Sequence, residues 1–83
     1  MSNPDLDRSR PVWRQIASVI VGRIESGEYA PGTRTPSVVE ISTEWDVAVS
    51  TAQKVLAHLK TTGYVRAEVG IGTFVADEPP ESR

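Results

Sequence analysis

The chain has 83 residues, a length that allows one small domain with a single modest core. It contains no cysteine, which excludes disulfide bonds and thiolate metal sites, and no apolar run of the roughly 18 or more residues that a membrane span requires. The formal net charge of −2 argues against a strongly basic protein that binds nucleic acid irrespective of sequence. We therefore expect a cytoplasmic protein with no membrane partner.

The charge is unevenly distributed, because the acidic excess lies near the two ends of the chain. Residues 1–9 and 77–83 are polar and lack hydrophobic periodicity. We therefore predict a disordered arm, a single domain at 10–76, and a tail that is either disordered or the start of a linker. Within 10–76 there are seven basic residues (Arg10, Arg14, Arg23, Arg34, Lys54, Lys60 and Arg66) and six acidic ones (Glu25, Glu28, Glu40, Glu44, Asp46 and Glu68). This balance permits a local positive patch.

The first helix is predicted to begin at Ser9-Arg10-Pro11 and to end at Gly27, with the proline tolerated in the first turn. Apolar residues recur at helical spacing and indicate one buried face: Val12, Ile16, Val19, Ile20 and Ile24. Gly22, inside this helix, predicts the close approach of another backbone, either within the domain or from a second subunit. Pro31-Gly32 then predicts a type II turn, and residues 33–35 a brief strand.

Two further helices joined by a sharp turn are predicted next. Ser37 and Glu40 form an S-x-x-E capping box at the start of a short helix. Ile41 and Trp45 lie one turn apart and give this helix a single apolar face. Asp46 follows, and aspartate is among the few residues that tolerate the left-handed backbone that such a turn requires. The pattern is that of a helix-turn-helix.

The second helix of this pair is predicted to extend from about Val49 to Thr62 and to stop at Gly63. Its inward face is apolar: Ala52, Val55, Leu56 and Leu59. The surface opposite this face, with its two flanks Gln53 and Thr51, carries small or hydrogen-bonding side chains and one positive charge: Ser50, Lys54, Ala57 and Thr61. Such a surface can enter a DNA major groove, where glutamine pairs with adenine, lysine with guanine, and serine or threonine with either. Any solvated helix face is polar, however. The polarity of this face alone therefore does not distinguish a DNA-binding surface from an ordinary solvent-exposed one.

A β-hairpin is predicted directly after this helix. Residues 64–69 alternate partly between apolar and polar, as a half-buried strand does. Gly70, Ile71 and Gly72 supply a turn with two permissive residues, and residues 73–75 form the second strand. The predicted fold class is therefore mostly α with a small β-hairpin, a winged helix-turn-helix.

Two strings carry a resemblance to a known family: G-x-x-x-P-G-T-R-x-P-S at 27–37 and G-x-G-T-F-V at 70–75. Over about residues 11–76 the chain closely resembles the DNA-binding domain of the GntR family of bacterial transcription factors. The resemblance implies a regulator that binds double-stranded DNA as a homodimer, with helix 49–62 in the major groove and wing 64–75 at the minor groove. Most members add a ligand-sensing or dimerising C-terminal domain. Only eight residues follow Val75, so we expect no small-molecule effector domain in this chain. The chain is then either a minimal member of the family or a DNA-binding domain cut at its linker.

The expected DNA contacts are Arg34, Ser37, Val49, Ser50, Thr51, Gln53, Lys54, Gly70, Ile71 and Gly72. The roles of Arg34 and Lys54 carry over best, because both match basic positions of the family. Four positions that are usually or often basic in the family are uncharged here: Val39, Val49, Gln53 and Ile71. Each missing phosphate contact is expected to lower the affinity and to flatten its salt dependence.

No enzymatic site is expected. The single histidine, His58, has neither a nucleophile elbow nor an oxyanion-hole signal near it, and one histidine without cysteine does not make a zinc site. Gly70-Ile71-Gly72 is followed by a strand rather than a helix, so it is not a phosphate loop. We predict a non-enzyme without cofactor or metal.

Two functions from different classes remain open. The first is a sequence-specific transcriptional regulator. The second is a winged-helix module whose wing and recognition face bind protein, which Val49, Ile71 and the low number of basic residues favour.

Overall fold

The computed structural model describes residues 6–68 and 70–77. Three α-helices are followed by two β-strands: α1 (Val12–Glu25), α2 (Val38–Trp45), α3 (Val49–Thr61), β1 (Val65–Glu68) and β2 (Gly72–Val75). This order confirms the predicted winged helix-turn-helix. None of the described helices combines the length and the apolar character that crossing a membrane requires.

The core lies where α1 and α2 both pack on α3, and the base of the wing closes it. The largest fully buried side chains come from the three helices and β2: Ile16, Ile20, Ile41, Val55, Leu59 and Val75. The four α3 residues predicted to point inward are all buried. The periodicity of apolar residues therefore predicted correctly which face of α3 is free.

Local hydrogen bonds fix the start of α2 and the turn between α2 and α3. Ser37 caps α2: its hydroxyl accepts from the Glu40 amide at 3.1 Å, and its own amide donates to Glu40 Oε1 at 2.8 Å. Asp46 adopts the predicted left-handed conformation, with φ 54° and ψ 54°. Ser42 Oγ then donates to the Val47 carbonyl at 2.6 Å. The left-handed Asp46 and the Ser42–Val47 bond set the direction in which α3 leaves the turn.

The wing is an antiparallel pair in which Val65 lies opposite Val75 and Glu68 opposite Gly72. The predicted brief strand at 33–35 joins it at one bridge: the Thr35 amide donates to the Thr73 carbonyl at 2.9 Å, and the Val75 amide donates to the Thr33 carbonyl at 2.8 Å. The wing is thus attached to the loop that leads into α2.

Arg23 connects the end of α1 to the end of α2. Its Nη1 donates to the Tyr29 hydroxyl and to Glu44 Oε2, both at 3.0 Å. Its guanidinium carbon lies 5.7 Å from the centroid of the Trp45 ring. One side chain of α1 therefore holds the turn after α1 and the end of α2, which supports the orientation of the helix pair.

The part of the N-terminal arm that the structure describes lies against α1. Leu6 packs on the core, the Asp7 amide donates to Gln15 Oε1 at 2.8 Å, and Gln15 Nε2 donates back to the Asp7 carbonyl at 2.8 Å. These contacts differ from the disorder predicted for residues 6–9. Residues 1–5 of the arm, and residues 78–83 of the tail, lie outside the described residues.

The prediction that another backbone of the same domain approaches Gly22 closely is wrong. No atom lies within 4 Å of the position that a Cβ would occupy there, because this residue is on the exposed side of α1. An approach from a second subunit stays a prediction.

Candidate nucleic-acid interface

The first two turns of α3 present the polar face predicted for a recognition helix. Ser50, Gln53 and Lys54 are exposed, and Thr51 is half-buried at the flank. Within the described part of the chain, neither the Gln53 side chain nor the Lys54 side chain has a hydrogen-bond or ion-pair partner. Their donors and acceptors are free to bind an external group.

The N-terminus of α3 carries an electrostatic feature that was not predicted from the sequence. Ala48 is the N-cap residue, and α3 has neither a side-chain cap nor an acidic residue in its first turn. By contrast, α2 begins with a complete capping box and an acidic residue. The partial positive charge at the start of α3 therefore remains available to an anion such as a phosphate. The signal was present in the sequence as alanine where a capping residue is usual.

The wing tip depends on two glycines with positive φ, Gly70 at +79° and Gly72 at +144°. Arg34 Nη2 donates to the carbonyl of Ile71. A Cβ on Gly72 would lie 2.8 Å from Arg34 Nη2 and 3.0 Å from its Nε. The absence of a side chain at this position is therefore what lets the guanidinium lie against the hairpin.

Arg34 consequently has a structural role that the sequence did not reveal. Its guanidinium binds the wing, and with Ser37 and Gly72 it lines an open cavity of about 300 Å³ between the wing, α2 and α3. Contacts of these three residues with DNA stay predictions. Arg66, an arginine of the wing itself, pairs with Glu68 and lies 5.6 Å from the centroid of the Phe74 ring.

A carboxylate adjoins this part of the surface. Hydrogen bonds from the amide and the hydroxyl of Ser37 hold the pKa of Glu40 below its usual value, and the charge of Arg34 acts in the same direction. Glu40 therefore stays ionised at neutral pH, and it repels phosphate near the start of α2 while it caps that helix.

Three large apolar side chains are exposed among the described residues. Val39 in the first turn of α2 is 66% exposed, Val49 at the start of α3 is 48% exposed, and Ile71 at the wing tip is 59% exposed. They are three of the four positions at which basic residues were expected from the resemblance. The structure thus places exposed apolar groups in the first turns of α2 and α3 and at the tip of the wing.

The sequence matches the family model described as bacterial regulatory proteins, gntR family, over residues 13–75. The chain belongs to this family. Among curated relatives, the uncharacterized HTH-type transcriptional regulator YhcF of Bacillus subtilis is 34% identical over 70 residues, which cover 84% of this chain and 58% of YhcF. The histidine utilization repressor of Pseudomonas aeruginosa is 31% identical over 72 residues, 87% of this chain and 29% of the repressor. The chain thus spans less than two thirds of the length of either relative.

Solved structures of the same family have the same fold. A GntR family transcriptional regulator from Listeria monocytogenes superposes with a TM-score of 0.83 at 30% identity, covering 88% of this chain and 64% of that one. The AraR DNA-binding domain in complex with operator ORX1 superposes with a TM-score of 0.76 at 26% identity, covering 92% and 93% of the two chains.

Proposed function

We propose that this chain is a sequence-specific DNA-binding transcriptional regulator, with α3 in the major groove and the wing near the minor groove. The observation that carries the proposal is the exposed polar ridge of α3 formed by Ser50, Gln53 and Lys54. It begins at a helix terminus that retains its positive partial charge. The same fold, in the AraR domain, has been crystallised with an operator.

The roles of the two central residues follow from their chemistry. Gln53 offers a donor and an acceptor on one amide, which matches the major-groove edge of adenine. Lys54 is a point charge without an acceptor, so phosphates attract it whatever the sequence, although it can also address guanine. Gln53 is therefore assigned to base readout and Lys54 mainly to affinity.

The regulator acts as a homodimer on an inverted repeat, with half-sites about one helical turn apart or closer. One copy of α3 supplies a single lysine to this ridge, and the alanine and valine around it add no charge. Two copies double the contacts, and Gly22 leaves room on α1 for a second subunit. Cytoplasmic location also remains a prediction.

A protein-binding winged helix is the second candidate, and one observation favours it. Val39, Val49 and Ile71 expose apolar surface on three separate elements: α2, α3 and the wing. A protein partner would cover such surface, whereas a basic surface would suit phosphates better.

Selection from a random pool of double-stranded DNA tests the proposal, followed by fluorescence anisotropy with the selected sequence and with mixed-sequence DNA at low and moderate salt. We expect a selected inverted repeat, two chains per duplex, and affinity that falls as salt rises. If the selection enriches no sequence and the chain binds neither DNA at low salt, the proposal is wrong and the protein-binding alternative is favoured. A footprint over a single half-site at one chain per duplex would contradict the dimer.

A further inference from the structure

Val49 is placed where a recognition helix reads base edges. It is the first residue of α3, it is half exposed, and it precedes Gln53 by four residues on the same side of the helix. Side chains at i and i+4 have Cβ atoms about 5–6 Å apart, and base pairs are stacked about 3.4 Å apart. Val49 and Gln53 can therefore address the same base pair or pairs within two steps of each other.

The chemistry of valine leaves one suitable target in the major groove. Valine can neither donate nor accept a hydrogen bond, so against guanine, cytosine or adenine edges it removes water from polar atoms without replacing it. The 5-methyl group of thymine is the apolar group that base edges present in this groove. We propose that Val49 packs against the 5-methyl group of a thymine in each half-site and makes the protein specific for that methyl group.

The other exposed apolar residues do not fit this role. Ile71 lies at the tip of the wing, near the minor groove in the proposed complex, and the thymine methyl group projects into the major groove. Val39 precedes Glu40, whose carboxylate is held in its ionised form by Ser37 and repels phosphate. Val39 thus provides a matched control for Val49: the same residue type, also exposed, in the first turn of the neighbouring helix.

The inference rests on the proposed function, and substitution of thymine by deoxyuridine in the selected operator tests it separately. This substitution deletes the methyl group and keeps every hydrogen-bonding group of the base. We expect one sensitive thymine in each half-site, and its replacement in one half-site should weaken binding about fourfold, which corresponds to one buried methyl or methylene group. Deoxyuridine at the other thymines removes no contact with Val49. There the affinity should change less than twofold, which is below the roughly fourfold effect of one buried methyl group.

A double-mutant cycle assigns the effect to its residue. In Val49→Ala the shorter side chain withdraws most of the apolar contact, so the loss of affinity on deoxyuridine substitution should fall well below fourfold, whereas Val39→Ala should keep the full fourfold loss. Both positions are exposed and helical, and alanine is the better helix former, so both variants should fold. Thermal denaturation of each variant checks this.

The outcomes separate the inference from the function on which it rests. If the wild type binds its selected operator and no thymine is sensitive to loss of the methyl group, the inference is wrong and the proposed function stands. The same holds if the fourfold sensitivity persists undiminished in Val49→Ala. If the wild type binds no DNA, both are wrong, and the exposed valine is better explained by a protein partner.

Discussion

Replacing Gly72 by alanine perturbs the contact that fixes the wing. Gly72 has φ +144°, a region that residues with a side chain rarely adopt, and the new Cβ would lie 2.8 Å from Arg34 Nη2. Arginine is flexible at its end, so the guanidinium can move away, and most of the cost is the backbone strain. Such strain is worth about 1–3 kcal/mol. For a domain of this size each kcal/mol lowers the Tm by roughly 4–8 °C.

Gly22→Ala is the matched control for this substitution. Gly22 lies inside α1 with ordinary helical φ, and nothing is within 4 Å of the added methyl group. Alanine should therefore raise the free energy of unfolding by about 0.5–1 kcal/mol through helix propensity alone. The same chemical change is thus expected to have opposite signs at two glycines of one small domain, and urea titration and thermal denaturation measure both.

The double variant Arg34→Ala/Gly72→Ala divides the cost into its two parts. Without the guanidinium the close contact is gone and the backbone strain remains, so the cost of Gly72→Ala should fall in the Arg34→Ala background but stay above zero. A Gly72→Ala variant as stable as the wild type would refute the described wing conformation. A cost that disappears entirely in the Arg34→Ala background would refute the argument from strain.

Three other substitutions have defined outcomes. Ile71→Arg should tighten binding, most with narrow A·T-rich flanks, and raise the salt slope by about one per subunit; unchanged affinity for all flanks would show that the wing does not meet DNA. The pKa of Glu40 is lowered in the folded state, so the contribution of its carboxylate to stability is lost as the pH falls below the usual glutamate value of about 4.3. The Glu40→Gln variant should therefore lose less stability than the wild type between about pH 7 and about pH 3, and urea titrations at the two pH values measure the difference. Gln53→Ala should cost about 1–3 kcal/mol of binding free energy on the selected site, relax specificity at one base position and leave the affinity for mixed-sequence DNA almost unchanged. Equal losses of affinity for both DNAs would contradict base readout.

Much of the fold could be predicted because its signals are local. The capping box of Ser37 and Glu40, the left-handed Asp46 and the Pro31-Gly32 turn each depend on residues within a few positions of one another. The turn forms as expected, with Gly32 at φ +81° and the Thr33 amide donating to the Ala30 carbonyl at 3.1 Å. The inward face of α3 follows from the 3.6-residue period, so its outward face could be predicted as well.

Contacts between residues distant in sequence could not be predicted in this way. Arg34 and Ile71 are separated by 37 positions, and nothing near either residue indicates that the guanidinium meets that carbonyl. The same holds for Arg23 and Glu44, which are separated by 21 positions. The interpretation of Gly22 failed for a related reason: a glycine in a helix indicates space, but only the packing of the helices reveals whether anything fills it.

The salt dependence of affinity for the selected operator, compared between Lys54→Ala and Lys60→Ala, tests the central claim most directly. Both lysines are exposed on α3, but Lys54 is part of the polar ridge near the start of the helix and Lys60 lies in its last turn. We expect Lys54→Ala to weaken binding to selected and mixed-sequence DNA alike and to reduce the salt slope by about one per subunit. Lys60→Ala should change neither. If Lys54→Ala leaves the affinity and the slope unchanged while Lys60→Ala reduces both, α3 does not enter the groove by its N-terminal end.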